Sequence, residues 1–190
     1  MPRTFHFDIL PQIQTRWSPR AMSSDKIPRE DILALIEAAR YAPSCFNEQP
    51  WRFVVADTPE SLAKFHTTLS ESNKSWATKA PVLVAVCSKK SFSLDGSDNY
   101  FHQFDAGTAW GYLSLEAERR GLYTHGMGGF KRDEIRKIIG LPADYAVMAL
   151  IAIGKPGDKN ALPDELRSRE EPGTRKEPAA VSFFETFAHN

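Results

Sequence analysis

Ser44, Asn47 and Gln49 place a hydroxyl and two carboxamides in one short run, Ala39-Arg40-Tyr41-Ala42-Pro43-Ser44-Cys45-Phe46-Asn47-Glu48-Gln49-Pro50-Trp51-Arg52-Phe53-Val54-Val55, which passes from helix-like to strand-like sequence through a polar turn. Such groups both donate and accept hydrogen bonds, as reading the edge of a heterocycle requires. Two prolines frame them. Pro43 pushes the residue before it out of the α region and so ends the helix, while Pro50 can open a strand but not sit inside one. The turn between them is rigid. The same composition equally suits a polar connection that caps its own backbone.

Three further segments carry chemistry: Arg16-Trp17-Ser18-Pro19-Arg20, Met127-Gly128-Gly129-Phe130 and Gly173-Thr174-Arg175-Lys176. Guanidinium forks match phosphate oxygens, and a backbone amide approaches a flat ring closely only where no Cβ intervenes. Taken singly, the glycines also read as an ordinary turn before a helix. In order and spacing, these segments and Asn47-Glu48-Gln49-Pro50-Trp51 after Ala42-Pro43-Ser44 resemble the nitroreductase family, from about Ile13 to Phe187. The first segment resembles that family's Arg-Arg-Ser-x-Arg run, with Trp17 in place of the second arginine, which leaves the phosphate clamp one cation short.

The resemblance implies an α+β fold, a central, mostly antiparallel sheet flanked by helices, whose C-terminal strand is exchanged with a partner subunit. It implies a homodimer with FMN sites at the subunit interface, NADPH or NADH as transient donor, and a small-molecule electron acceptor. Arg16 and Arg175 would take the phosphate with a hydroxyl bond from Ser18, and Arg20 would stand near the N1 and C2 carbonyl edge of the ring, where a cation favours reduced flavin. Pro43, Ser44, Asn47 and Gln49 form the ring-reading turn, with Asn47 on the pyrimidine edge and Gln49 either beside it or holding the turn in shape. The Gly128 and Gly129 N–H groups would face N5 and the C4 carbonyl. The implied mechanism is ping-pong through flavin N5, with no side chain assigned as obligatory acid or base and Tyr100, Phe101 and Tyr123 as weak candidates for pocket lining.

The elements that must position these residues follow from periodicity. Ile27–Ala42 has Pro28 near its first turn, early acidic residues and Ile32, Ile36 and Ala39 at helical spacing, so it predicts an amphipathic helix. Trp51–Ala56 and the more continuous Pro81–Cys87 predict strands, the second buried on both faces. Phe104–Arg120 predicts a helix stopped by Gly121, burying Ala106, Ala109, Trp110, Leu113 and Ala117. Lys131–Ile139 predicts another, stopped by Gly140, and Tyr145–Ile153 a second buried strand. This irregular alternation argues against a regular doubly wound sheet. From Gly154 to Pro178, prolines, glycines and mixed charges predict an exposed extended arm. Val181–Phe187 then reads as a strand whose aromatic residues need cover. The expected organisation is one flavin-binding unit over 1–190, with 155–190 as the arm.

With 190 residues and 24 basic against 24 acidic side chains, the chain has a formal net charge of zero and no electrostatic footprint for nucleic acid or an anionic membrane. Its longest apolar run is too short to span a bilayer as a helix, and Arg3, His6 and Asp8 interrupt any N-terminal secretory segment. The reading is a cytoplasmic protein with reduced thiols at Cys45 and Cys87. His6, His66, His102, His125 and His189 lack metal-ligand spacing, and pairing of Cys45 with His102 or His125 as a nucleophile finds no supporting motif. Ser61-Leu62-Ala63-Lys64 matches a serine–lysine spacing by chance, on a surface helix. Besides an NAD(P)H-dependent FMN oxidoreductase acting on nitroaromatic, quinone or activated-alkene acceptors, two readings stand open. One is a specialised flavin enzyme of the same fold, carrying out reductive dehalogenation or flavin cleavage; the other is a non-enzymatic flavin-binding protein.

Overall fold

The structure, a computed structural model, describes residues 3–187; His189 lies outside the described residues. The elements are α1 (Pro11–Thr15), α2 (Arg29–Arg40), β1 (Trp51–Ala56), α3 (Pro59–His66), α4 (Glu71–Ala77), β2 (Val82–Lys89), α5 (His102–Arg119), β3 (Tyr123–Met127), α6 (Arg132–Ile138), β4 (Tyr145–Gly154) and α7 (Asp164–Arg167). The four strands form one sheet in the order β1-β2-β4-β3, antiparallel throughout. Strand β2 is central and alternates its side chains between two cores. Leu83, Ala85 and Cys87 join Trp76, Leu150 and Ile135 on one face; Val82, Val84 and Val86 meet Leu35, Ala109 and Leu113 on the other. Burial on both faces explains why β2 reads as a continuous apolar run.

Helices α2 and α5 pack against each other on the second face. Glu30 and Asp31 sit in the first turn of α2 and Arg40 in its last, which suits the helix dipole, and Ile32, Leu35 and Ala39 are buried. In α5 the buried stripe is Ala106, Ala109, Leu113 and Ala117, with Trp110 half-buried beside it. Gly121 and Gly140 adopt left-handed φ of 69° and 61° after their helices, the stop that a missing Cβ allows.

Three features depart from the periodic reading. Strand β3 has only five residues, including Gly126 and His125, too short and polar to show an alternating pattern. Helices α3 and α4 fill the β1–β2 connection. In α3 the Ser61 hydroxyl completes a capping box with Thr58, and Lys64 pairs with Glu60 at 2.7 Å, so both members of the serine–lysine spacing serve local structure. The arm after β4 is not wholly exposed: Leu162 and Glu170 are buried, and Gly157 N–H donates to the Ala21 carbonyl at 2.9 Å. Among the described residues, Val181–Phe187 forms no strand and joins no sheet. The Val181 and Ser182 N–H groups turn back to the Pro178 carbonyl at 3.1 and 3.0 Å, while Phe184 and Phe187 stay exposed.

Candidate active site

Arg16 leaves the end of α1 half-buried, and its Nη1 donates to the Trp17 carbonyl at 3.1 Å and to Ser18 Oγ at 3.4 Å. Arg175 arrives from the C-terminal arm. Both line a cleft of about 660 Å³ with Arg3, Ile13, Leu115, Gly173, Thr174 and Lys176. Burial first, then Arg175 and Arg3, lower the Arg16 pKa from its ordinary value, while Glu118 opposes them. Among the described residues, Arg3, Arg16 and Arg175 form no ion pair with a carboxylate. Three guanidinium groups around one cleft without a paired counter-charge make a site for a polyanion such as a phosphate monoester. Arg16 and Arg175, two of the residues expected at the phosphate, line this cleft, and Ser18 touches Arg16; Arg3 lines it too, and no motif marks it.

The run from Trp17 to Ala21 lies over the edge strand β3. Trp17 meets Tyr123 edge-on at a ring-centroid distance of 6.1 Å, and His125 Nδ1 lies 3.0 Å from the Pro19 carbonyl. The His125 ring also lies against buried Trp76, tilted, with ring centroids 4.6 Å apart; burial lowers its pKa, partly opposed by the Pro19 contact. Glu170, which no sequence motif signalled, fixes the backbone of Arg20. Its Oε1 accepts from the Arg20 and Ala21 N–H groups at 2.6 and 2.7 Å, and its Oε2 lies 3.8 Å from Arg20 Nη1. Arg20 is thus held by a carboxylate whose side chain is only 3% exposed.

Strand β3 runs on into Gly128 and Gly129. Both are exposed, and neither N–H donates a hydrogen bond among the described residues. A Cβ on Gly128 would meet nothing within 4 Å, whereas one on Gly129 would stand 2.9 Å from Ser70 Oγ and 3.1 Å from Asn73 Nδ2. The Gly129 carbonyl accepts from Ser70 N–H and Asn73 Nδ2, at 3.1 and 2.9 Å. Close packing on the start of α4 therefore accounts for glycine at 129, and only Gly128 has an open face.

The Pro43–Gln49 turn is elsewhere in the chain. Phe46, Asn47 and Gln49 take left-handed φ of 50°, 56° and 50°, a region that non-glycine residues rarely occupy. Four contacts hold them there: Ser44 Oγ accepts from Gln49 N–H at 3.0 Å, Gln49 Nε2 donates to the Asn47 carbonyl at 3.1 Å, Glu48 accepts from Ser93, and buried Asp105 accepts from Cys45 N–H at 3.1 Å. Gln49 therefore spends its amide on the turn itself, and Asn47 and Pro43 are exposed. Asp105 at this turn and Leu115 in the arginine cleft are ten residues apart on α5; at 1.5 Å per residue they are about 15 Å apart. The turn and the arginine cleft are thus separate regions of one chain.

The weaker candidates sort accordingly. Tyr100 lines a second hollow with Lys90, Asn99, His102 and Phe104; Phe101 packs edge-on to Tyr100, and Tyr123 lies against Trp17. His102 Nδ1 is 2.7 Å from the buried Ser88 hydroxyl, so it is engaged away from Cys45. Burial pushes the Cys87 thiol up to about 11, which keeps it protonated and inert. No helix among the described residues is long and apolar enough to cross a membrane.

Comparison with known proteins points the same way. The profile of the nitroreductase family matches residues 13–75 and 60–155. A protein of Archaeoglobus fulgidus provisionally named NADH dehydrogenase/NAD(P)H nitroreductase is 30% identical over 156 residues, which cover 80% of this chain and 87% of that protein. A solved structure described as an oxidoreductase containing FMN superposes with a TM-score of 0.95 at 39% identity, covering 99% of this chain and 97% of that one. Iodotyrosine deiodinase 1 of Mus musculus is 26% identical over 180 residues, covering 80% of this chain and 63% of its own length.

Proposed function

This chain belongs to the nitroreductase family, and we propose that it is an FMN-dependent oxidoreductase passing electrons from NADH or NADPH to nitroaromatic, quinone or activated-alkene acceptors. The observation that carries the reading is the cleft where Arg16 and Arg175 meet without a paired carboxylate, in a fold that superposes at a TM-score of 0.95 on an FMN-containing oxidoreductase. Arg16 and Arg175 would grip the phosphate by bidentate, charge-assisted bonds, and the Ser18 hydroxyl, already near Arg16, would add a donor. Arg20, anchored by Glu170, would place a fixed cation by the flavin, and Gly128 N–H is a free donor for the ring. Bound FMN supplies the hydride-accepting chemistry, so the chain's task is position, charge and access.

The second half-site completes the reading. The Pro43–Gln49 turn, about 15 Å along α5 from the arginine cleft, serves the cleft of a second copy in a homodimer whose FMN sites lie at the interface. In the same proposal the whole chain is one flavin-binding unit, and Val181–Phe187, whose Phe184 and Phe187 rings are exposed, adds to the partner's sheet. We place the protein in the cytoplasm, where nicotinamide donors are found.

The similarity to iodotyrosine deiodinase favours reductive dehalogenation as the second reading. The test is the visible spectrum of the purified protein after FMN addition and desalting, followed by anaerobic NADPH or NADH. A retained flavin that bleaches and is then reoxidised by a nitroaromatic supports the first reading. Iodide release from an iodotyrosine, with slow nitroaromatic turnover, supports the second. Failure to retain flavin refutes both.

A further inference from the structure

Arg3 lies outside every motif the sequence presents, yet it reaches the same cleft as Arg16 and Arg175. Its Nη1 donates to the Arg16 and Gln14 carbonyls at 2.8 and 3.1 Å, which fastens the N-terminal segment to the end of α1. Its Nε is buried and has no hydrogen-bond partner. A buried guanidinium N–H without an acceptor is costly in a folded protein, so holding Arg3 at the cleft wall, with no carboxylate paired to it among the described residues, suits an anion in the cleft. Burial and Arg175 both lower the Arg3 pKa, so the chain accepts a repulsive pair of cations at this point, with Glu118 offsetting only part of it. Meanwhile Trp17, at the motif position where a second guanidinium would stand, has its ring against Tyr123. In the same cleft, His6 Nε2 meets Glu177 at 3.0 Å, tying the N-terminal segment to the arm that carries Arg175.

We propose that Arg3 is a third phosphate-binding guanidinium, which, resting on the FMN reading above, supplies the charge that Trp17 does not and lets the site distinguish FMN from riboflavin. A phosphate monoester carries nearly two negative charges near neutral pH. Three guanidinium groups neutralise it with one positive charge in excess, while riboflavin leaves the cluster unpaired. Arg3 therefore contributes to binding of the phosphate and not of the ring.

The experiment is titration of the flavin-free, full-length protein with FMN and with riboflavin, followed by flavin fluorescence, for wild type, Arg3→Gln, Arg3→Lys and Arg3→Ala. Loss of a charge-assisted contact is expected to weaken FMN binding about tenfold or more in Arg3→Gln and Arg3→Ala, while riboflavin affinity changes by less than about twofold. Arg3→Lys, which keeps the charge but not the fork, recovers part of the loss. Gln can still donate to the Arg16 or Gln14 carbonyl, so a purely structural clip predicts a mild Arg3→Gln effect on both ligands alike. Equal weakening of FMN and riboflavin, or no weakening of either, overturns the assignment of Arg3. Wild-type protein that binds neither flavin overturns the parent reading instead, and the two failures are told apart by that control.

Discussion

Removing the Glu170 carboxylate tests whether Arg20 is held in place by a buried anion. The Glu170 side chain is 3% exposed, and its Oε1 accepts from two backbone N–H groups, Arg20 at 2.6 Å and Ala21 at 2.7 Å. Hydrogen bonds to a charged group contribute about 1.5–3 kcal/mol each, so Glu170→Ala forfeits about 3–6 kcal/mol of gross interaction. Part of that returns, because the substitution also relieves the burial of a carboxylate whose Oε2 has no hydrogen-bond partner. The net expectation is about 2–4 kcal/mol of destabilisation. For a chain of this size it lowers Tm by about 5–15 °C. Glu170→Gln keeps an oxygen that can accept from both N–H groups and loses only the charge, so it should forfeit about 1 kcal/mol. Urea unfolding of the flavin-free protein, followed by far-ultraviolet circular dichroism, measures both. An Ala variant within about 0.5 kcal/mol of wild type, or a Gln variant as damaged as the Ala variant, refutes the anchoring role.

Two more outcomes follow from the geometry around β3. Gly129→Ala drives a Cβ to 2.9 Å from Ser70 Oγ and should destabilise the fold by about 1–3 kcal/mol; Gly128→Ala, which meets nothing within 4 Å, should leave the urea midpoint unchanged but weaken FMN binding if the ring lies against it. Burial lowers the pKa of His125, so the unfolded imidazole binds its proton first, and the stability of the neutral folded form is present above the unfolded value of about 6.5 and lost as pH falls below it. His66 and His102 shift the same way, chiefly by burial, so replacing His125 with Phe should flatten but not abolish the fall in unfolding free energy between pH 7 and 5. Glu116, held at about 2 chiefly by Arg119, contributes its own loss only below that window, so a slope unchanged by the Phe substitution would sink the assignment to His125.

The readable parts of the fold were those whose burial is periodic or complete. Strand β2 announces itself because both its faces are buried, and α2 and α5 because one stripe of each is. Strand β3 is not legible in the sequence: His125 lies in a tilted ring contact with Trp76 and Gly126 packs close to the Trp110 ring, contacts that no local pattern encodes. The C-terminal arm reads as uniformly polar, yet its Glu170 is buried by contacts about 150 residues away in sequence, with Arg20 and Ala21. Arg3 failed to register for the same reason, since a lone basic residue acquires meaning only through its distance from Arg16 and Arg175. The resemblance joined Arg16–Arg20 and Gly173–Lys176 across the chain, and Arg16 and Gly173–Lys176 line one cleft.

The Pro43–Gln49 turn is where local chemistry and global placement diverge. Left-handed φ at Phe46, Asn47 and Gln49 stores strain of about 1–3 kcal/mol per residue in the less tolerant positions, and it persists only because neighbouring contacts over-determine it. Ser44, Gln49, Glu48 and Asp105 supply those contacts, so the turn is rigid before any ligand arrives. A polar connection that merely capped its backbone would have no need to hold Phe46 92% exposed, in a T-shaped contact with Phe92. Strain together with an outward aromatic suits a surface shaped for an occupant that the single chain does not provide. The arginine cleft has the opposite deficit, with abundant cation and few groups to read a ring edge. Since α5 keeps the two about 15 Å apart in one chain, neither region compensates the other internally; the homodimer proposed above would bring the turn of one copy to the cleft of the other and meet both deficits with a single interface.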